Sequence, residues 1–101
     1  MSQIKVASTD EFNSSNAKCV EVGDKQLALF KVGGKFYCID NTCTHRGGPL
    51  CEGELEGNII TCPWHGGQFD VTNGRVAGPP PANDVKSYPV LVKGKDIFVE
   101  V

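Results

Sequence analysis

The sequence predicts an all-β fold. Short runs of apolar residues alternate with polar ones, as in Ile4 and Val6 or Val20 and Val22. The turn pairs Gly33-Gly34 and Asn73-Gly74 stand between such runs, where two-residue hairpins place them. The one helical signal is a weak turn over Ser8 to Asn13.

In order along the chain, Ile4 and Val6 mark a first strand, and Val20 and Val22 a second. Gln26-Leu27-Ala28-Leu29-Phe30-Lys31-Val32 is a third, turning at Gly33-Gly34 into Lys35-Phe36-Tyr37-Cys38-Ile39. After a glycine-rich loop, Asn58-Ile59-Ile60-Thr61 is a strand. Gln68-Phe69-Asp70-Val71 returns and turns at Asn73-Gly74 into Arg75-Val76. Beyond a proline-rich stretch, Lys86 to Val92 and Asp96 to Val101 form a hairpin across Lys93-Gly94-Lys95. Nothing repeats and no linker divides the chain, so its 101 residues are expected to form one domain.

A net charge of −2 makes no sequence-wide case for nucleic acid. No apolar run approaches the ~20 residues that span a bilayer. The start, Met1-Ser2-Gln3-Ile4-Lys5, has neither a signal-peptide stretch nor a twin arginine. These features lead to the expectation of a cytoplasmic protein that acts without membrane or nucleic acid, as a monomer.

The chemistry lies in two short words, Cys43-Thr44-His45 and Cys62-Pro63-Trp64-His65, which use both histidines of the chain. Each word supplies one thiolate and one imidazole. Two cysteines and two histidines can hold zinc tetrahedrally, but a zinc finger places two cysteines together and then two histidines. The order Cys-His, then Cys-His suits two metals, one taking both cysteines and the other both histidines, as in a Rieske-type 2Fe–2S centre. A zinc-stabilised interaction domain remains the alternative from a different class.

The surroundings extend the match. Cys43-Thr44-His45-Arg46-Gly47-Gly48-Pro49-Leu50 and Cys62-Pro63-Trp64-His65-Gly66-Gly67-Gln68-Phe69-Asp70 resemble the cluster-binding loops of Rieske proteins, and Gly78-Pro79-Pro80-Pro81 resembles the proline loop covering their cluster. The resemblance spans roughly residues 36 to 90. It implies a single Rieske domain over 1–101 with cluster loops at about 41–52 and 62–70 and a proline loop at about 78–81. It also implies stacked antiparallel sheets with the cluster at one tip, one 2Fe–2S cofactor, and Cys43, His45, Cys62 and His65 as its ligands. Gly47, Gly48, Gly66 and Gly67 follow the ligand words, and glycine allows the positive φ and close approach that cluster loops need.

Respiratory Rieske loops are tied by a disulfide at the positions that match Gly48 and Trp64, so the resemblance leads to a loop without that disulfide. Cys51 stands three residues out of place, with its partner open. Cys19 and Cys38, in apolar strand words, are expected to be buried reduced thiols, and a reducing cytosol agrees with this usage.

Charge counting gives the expected redox behaviour. Two ferric ions and two sulfides carry a net double positive charge, which two thiolates cancel, while neutral imidazoles add nothing. An electron enters a neutral site more readily than a dianionic one, so histidine ligation raises the potential. The imidazole N–H groups couple that potential to pH. Respiratory relatives place hydroxyls at the positions of Gly67 and Phe69, where hydrogen bonds raise the potential further. Their absence predicts a value nearer about −150 mV than about +300 mV.

The chain has no histidine beyond the cluster pair for a mononuclear iron, and no Gly-x-Gly-x-x-Gly fingerprint. It is not expected to be an enzyme. It resembles Rieske-type ferredoxins that pass one electron from an NAD(P)H-dependent flavoprotein reductase to a terminal oxygenase or hydroxylase. The alternative is a Rieske-like small subunit of a nitrite reductase-type complex. Pro49, Leu50, Trp64 and Pro80 are expected to form an apolar collar for docking, the alternative being that Trp64 and Leu50 simply shield the cluster from water. Glu52, Glu54 and Glu56 form either a solvated face or an acidic docking patch, and Arg46 either tunes partner choice or is an exposed loop residue.

Overall fold

The computed structural model describes residues 3–42, 48–64, 66–78 and 83–101. Among these the strands are β1 (Gln3–Ser8), β2 (Ala17–Val22), β3 (Lys25–Val32), β4 (Lys35–Asp40), β5 (Glu54–Glu56), β6 (Ile59–Thr61), β7 (Gln68–Asp70), β8 (Val76–Gly78), β9 (Ser87–Tyr88), β10 (Val90–Lys93) and β11 (Asp96–Glu100). Short 3-10 turns lie at Thr9–Phe12 and Leu50–Glu52. The strands pair antiparallel in three sheets, ordered β1-β11-β10, β2-β3-β4-β9 and β5-β6-β7-β8. The all-β expectation of stacked antiparallel sheets is met.

The β2-β3-β4-β9 sheet is the middle layer, and strand alternation shows why. Leu27 and Leu29 of β3 join Val20, Val22, Cys38, Ile97 and Val99 in one core. Ala28 and Phe30, pointing the other way, join Ile39, Leu50, Ile60, Phe69 and Val71 in a second. A strand buried on both faces reads as a nearly continuous apolar run, which is how Gln26 to Val32 reads. The second core takes in Cys62 of the second ligand word, and Leu50 and Cys51 beyond the first.

The turns follow the glycines. Gly33 (φ 57°) and Gly34 (φ 81°) both adopt left-handed backbone between β3 and β4, as a type I′ hairpin demands. The helical signal at Ser8 to Asn13 becomes the 3-10 turn, with Ser8 and Glu11 forming a capping box.

One expected strand divides. Lys86 to Val92 breaks at Pro89: β9 pairs with β4 in the middle sheet, and β10 pairs with β11 in the first. Proline cannot donate to a ladder, so the chain changes sheets there. The carbonyl of Pro89 still accepts from the Glu100 N–H at 3.0 Å. Among the described residues, no helix is long and apolar enough to cross a membrane.

Candidate metal centre

Strand β6 delivers Cys62 to the tip. The Cys62 N–H donates to the Gly67 carbonyl at 2.7 Å, and the Gly66 N–H donates to the Cys62 carbonyl at 3.1 Å. These bonds close the second loop into a tight reversal that feeds β7. Gly66 takes φ 74°, a left-handed conformation that favours glycine. Cys62 is 2% exposed and makes no disulfide.

A single side chain pins the base of the first loop. Asn41, 8% exposed, follows β4 directly. Its carbonyl accepts from the Leu50 N–H at 2.7 Å, and its Oδ1 accepts from the Cys51 N–H at 2.7 Å. Its own N–H donates to the Gln26 carbonyl at 3.0 Å. Thr42 and Pro49 bridge just inside this clasp.

Gly48 brings the two loops together. A β-carbon added there would lie 2.6 Å from the Cys62 Sγ and 3.0 Å from Cγ of Trp64. Close approach, not positive φ, is what requires glycine at this position. Gly78 ends β8 beside Gln68 at the start of β7, just before the proline stretch in sequence. After that stretch, Asp84 Oδ1 accepts from the Val76 N–H at 2.9 Å and the Val85 N–H donates to the Gly74 carbonyl at 2.8 Å.

Cys43, His45 and His65 lie outside the described residues, as do Thr44, Arg46, Gly47 and the prolines at 79–81. What is described fits an iron–sulfur cluster. A buried, unpaired thiol faces a backbone segment that carries no side chain and continues directly from the first word.

Cys51 departs from the expectation of a loop without a disulfide. It is bonded to Cys19, with Cα atoms 5.1 Å apart. Cys19 is therefore not a buried reduced thiol: it is exposed on β2, opposite in phase to the inward Val20 and Val22. Gly48 and Trp64 do face each other, but the covalent tie runs from the exit of the loop to the middle sheet. Cys38 is buried and free, as expected. Burial, reinforced by the Asp40 carboxylate, pushes its thiol pKa up to about 12.

Leu50 is also a correction. It is fully buried in the core beneath the loop and forms no part of an apolar collar. Trp64 is 58% exposed at the tip, Pro49 is half-buried, and Pro80 lies outside the described residues. Glu52, Glu54 and Glu56 are all exposed. Glu52 and Glu54 line a shallow depression with Gly53, Thr61, Cys62 and Pro63, so the acidic stretch borders the second loop. Gly67 and Phe69 are both buried, Phe69 in the same cluster as Cys62.

Asn41 and a second polar pair escaped the sequence reading. The Tyr88 hydroxyl donates to Asp40 Oδ1 at 2.6 Å, one residue before the loop clasp. Burial and then the Asp40 hydrogen bond raise the Tyr88 pKa. The alternation of β9 hinted that Tyr88 points inward, but nothing local named Asp40 as its acceptor.

The family model of the Rieske [2Fe-2S] domain matches residues 2–89. The chain belongs to this family of iron–sulfur proteins, and it carries one Rieske-type 2Fe–2S cluster. It is 42% identical over 82 residues to the ferredoxin component of the naphthalene 1,2-dioxygenase system of Pseudomonas aeruginosa, covering 81% of this chain and 79% of that protein. It superposes on the ferredoxin of carbazole 1,9a-dioxygenase from Nocardioides aromaticivorans IC177 with TM-score 0.92 and 29% identity, covering 98% and 97% of the two chains. A chain in the complex of reduced oxygenase and oxidized ferredoxin in carbazole 1,9a-dioxygenase gives TM-score 0.89 at 36% identity, covering 96% of this chain and 100% of that one.

Proposed function

We propose that this protein is a low-potential one-electron carrier, taking electrons from an NAD(P)H-dependent flavoprotein reductase and delivering them to a terminal oxygenase or hydroxylase. It does so as a cytoplasmic monomer. In this reading Cys43 and Cys62 hold one iron of the cluster, and His45 and His65 hold the other. Their loops occupy about 41–52 and 62–70, with the proline loop at about 78–81. When bound, the cluster supplies a reversible one-electron couple.

The rest is done by the chain. Gly48 leaves room beside the Cys62 sulfur. Asn41 and the 62–67 reversal set the two loops. Trp64 presents an exposed aromatic surface two positions after Cys62 and one before His65, suited to a partner's apolar patch. The exposed acidic Glu52, Glu54 and Glu56 give a basic surface a second point of attraction.

The observation that carries this reading is the Gly48–Cys62 approach in a chain whose relatives, matched over most of their length, are named as ferredoxin components. Those names do not favour the nitrite reductase alternative. The test is the midpoint potential by voltammetry over a pH series, with iron and sulfide analysis. A one-electron wave near about −150 mV supports the carrier role. A value near about +300 mV points to a quinol-side partner instead, and a colourless zinc protein without a wave overturns the reading.

A further inference from the structure

The Cys19–Cys51 bond joins two very different environments. Cys19 lies on β2, which among the described residues is an edge strand paired with β3. The residue is exposed at that edge, on the face it shares with its register partner Ala28 and opposite to Val20 and Val22. Cys51 is 8% exposed, packed in the core with Leu50, Ile60 and Phe69, and its N–H is committed to Asn41. Thiol–disulfide exchange requires a thiolate to approach one sulfur in line with the bond. Cys19 is the exposed end of the bond, while the core encloses Cys51.

We propose that this disulfide is a thiol-exchange site, opened at the Cys19 sulfur by a small thiol of the glutathione type, and that opening loosens the first cluster loop. The attacking thiolate forms a bond to Cys19 Sγ as the Cys19–Cys51 bond breaks. Cys51 leaves with the electron pair and takes up a proton. A second thiol then displaces Cys19 from the mixed disulfide. In sum, two small thiols become one disulfide, and two electrons with two protons convert the protein disulfide to two thiols.

The consequence follows from what remains. The bonds from Leu50 and Cys51 to Asn41 survive opening, so the base of the loop stays paired. The covalent tie from the Leu50–Glu52 turn to β2 is lost, and with it the restraint across a sequence separation of 32. The first loop then opens more often, exposing the cluster to chelators.

The test uses the cluster-loaded protein under native conditions. Peptide mapping after incubation with glutathione is expected to find the adduct on Cys19 and a free thiol at Cys51. Chelator-driven bleaching of the visible absorption is expected to quicken severalfold. Cys51→Ser should reproduce the faster bleaching without glutathione. Three results overturn the proposal: no Cys19–Cys51 bond in air-equilibrated protein, an adduct that forms on Cys51 or only in denaturant, or a bleaching rate that opening leaves unchanged. Neither readout depends on electron delivery, so the proposal and the carrier role fail separately.

Discussion

Gly48 and Cys62 approach so closely that a β-carbon on the one would lie 2.6 Å from the sulfur of the other. Gly66, four residues after Cys62, differs: its φ is 74°, but among the described residues nothing lies within 4 Å of an added β-carbon. The two glycines therefore predict different failures. Gly48→Ala forces a methyl group against the sulfur and the Trp64 ring, an overpacking costing about 1–3 kcal/mol at the point where the cluster sits. Iron and sulfide per chain should fall by more than half. Gly66→Ala costs about 1–2 kcal/mol of backbone strain and should retain the cluster. Equal metal content in the two variants would contradict the assignment.

Asn41 holds both exit residues of the first loop, and its side chain carries one of those bonds. Asn41→Ala leaves the Cys51 N–H buried without an acceptor, a loss of about 1–3 kcal/mol. The urea midpoint should drop accordingly, and the Cys51 amide should exchange with deuterium faster than in the parent protein. A change confined to the midpoint, with Cys51 still protected, would mean that Asn41 supports the core and not the loop.

The sequence disclosed the site more readily than it disclosed what holds the site. Strand alternation and turn glycines are local signals, and β1 to β4 and the Gly33-Gly34 turn follow from them, whereas Asn73-Gly74 falls inside a longer connection between Asp70 and Val76. The division at Pro89 was written in the proline itself, yet choosing between one strand and two requires knowing that the segment serves two sheets. The Cys19–Cys51 bond and the Tyr88–Asp40 contact span 32 and 48 positions. Such pairings are decided by how layers stack, which no local pattern encodes. Leu50 illustrates the same limit: an apolar residue in a loop reads equally as surface or core until its neighbours are known.

Tyr88 and Cys38 keep their protons in the folded state where the unfolded chain gives them up, since both pKa values are raised. Their contribution to stability is complete below the ordinary values of 9.0 and 10.0, and it is lost as pH rises from there, through about 12 for Cys38 and further up for Tyr88. The urea midpoint should be flat from about pH 7 to 9 and fall above it. Tyr88→Phe should lower the unfolding free energy near neutrality by about 0.5–1.5 kcal/mol through the lost hydrogen bond, read as a lower urea midpoint, and make the alkaline fall shallower. An unchanged slope would show that other groups govern it.

Trp64 is 58% exposed, so its removal should cost about 1 kcal/mol of stability or less. If it docks the oxygenase, Trp64→Ala should weaken association about tenfold, as loss of an aromatic anchor does. The midpoint potential should stay where it was. Stopped-flow electron transfer to an oxygenase, run beside voltammetry of the same variant, separates the two. A shifted potential with unchanged transfer would assign Trp64 to shielding.

Gly67 and Phe69 bear on the potential itself. Gly67 is buried where its carbonyl accepts from Cys62, and Phe69 packs in the same cluster as Cys62. Neither side chain donates a hydrogen bond. A donor aimed at a sulfur stabilises the more negative, reduced state and so raises the potential. Gly67→Ser with Phe69→Tyr introduces two such donors. The double variant should move the voltammetric midpoint upward from the low end of the Rieske range, with metal content unchanged. A downward movement at full metal content would mean that the hydroxyls do not reach the cluster sulfurs, and that the low potential has a source other than their absence.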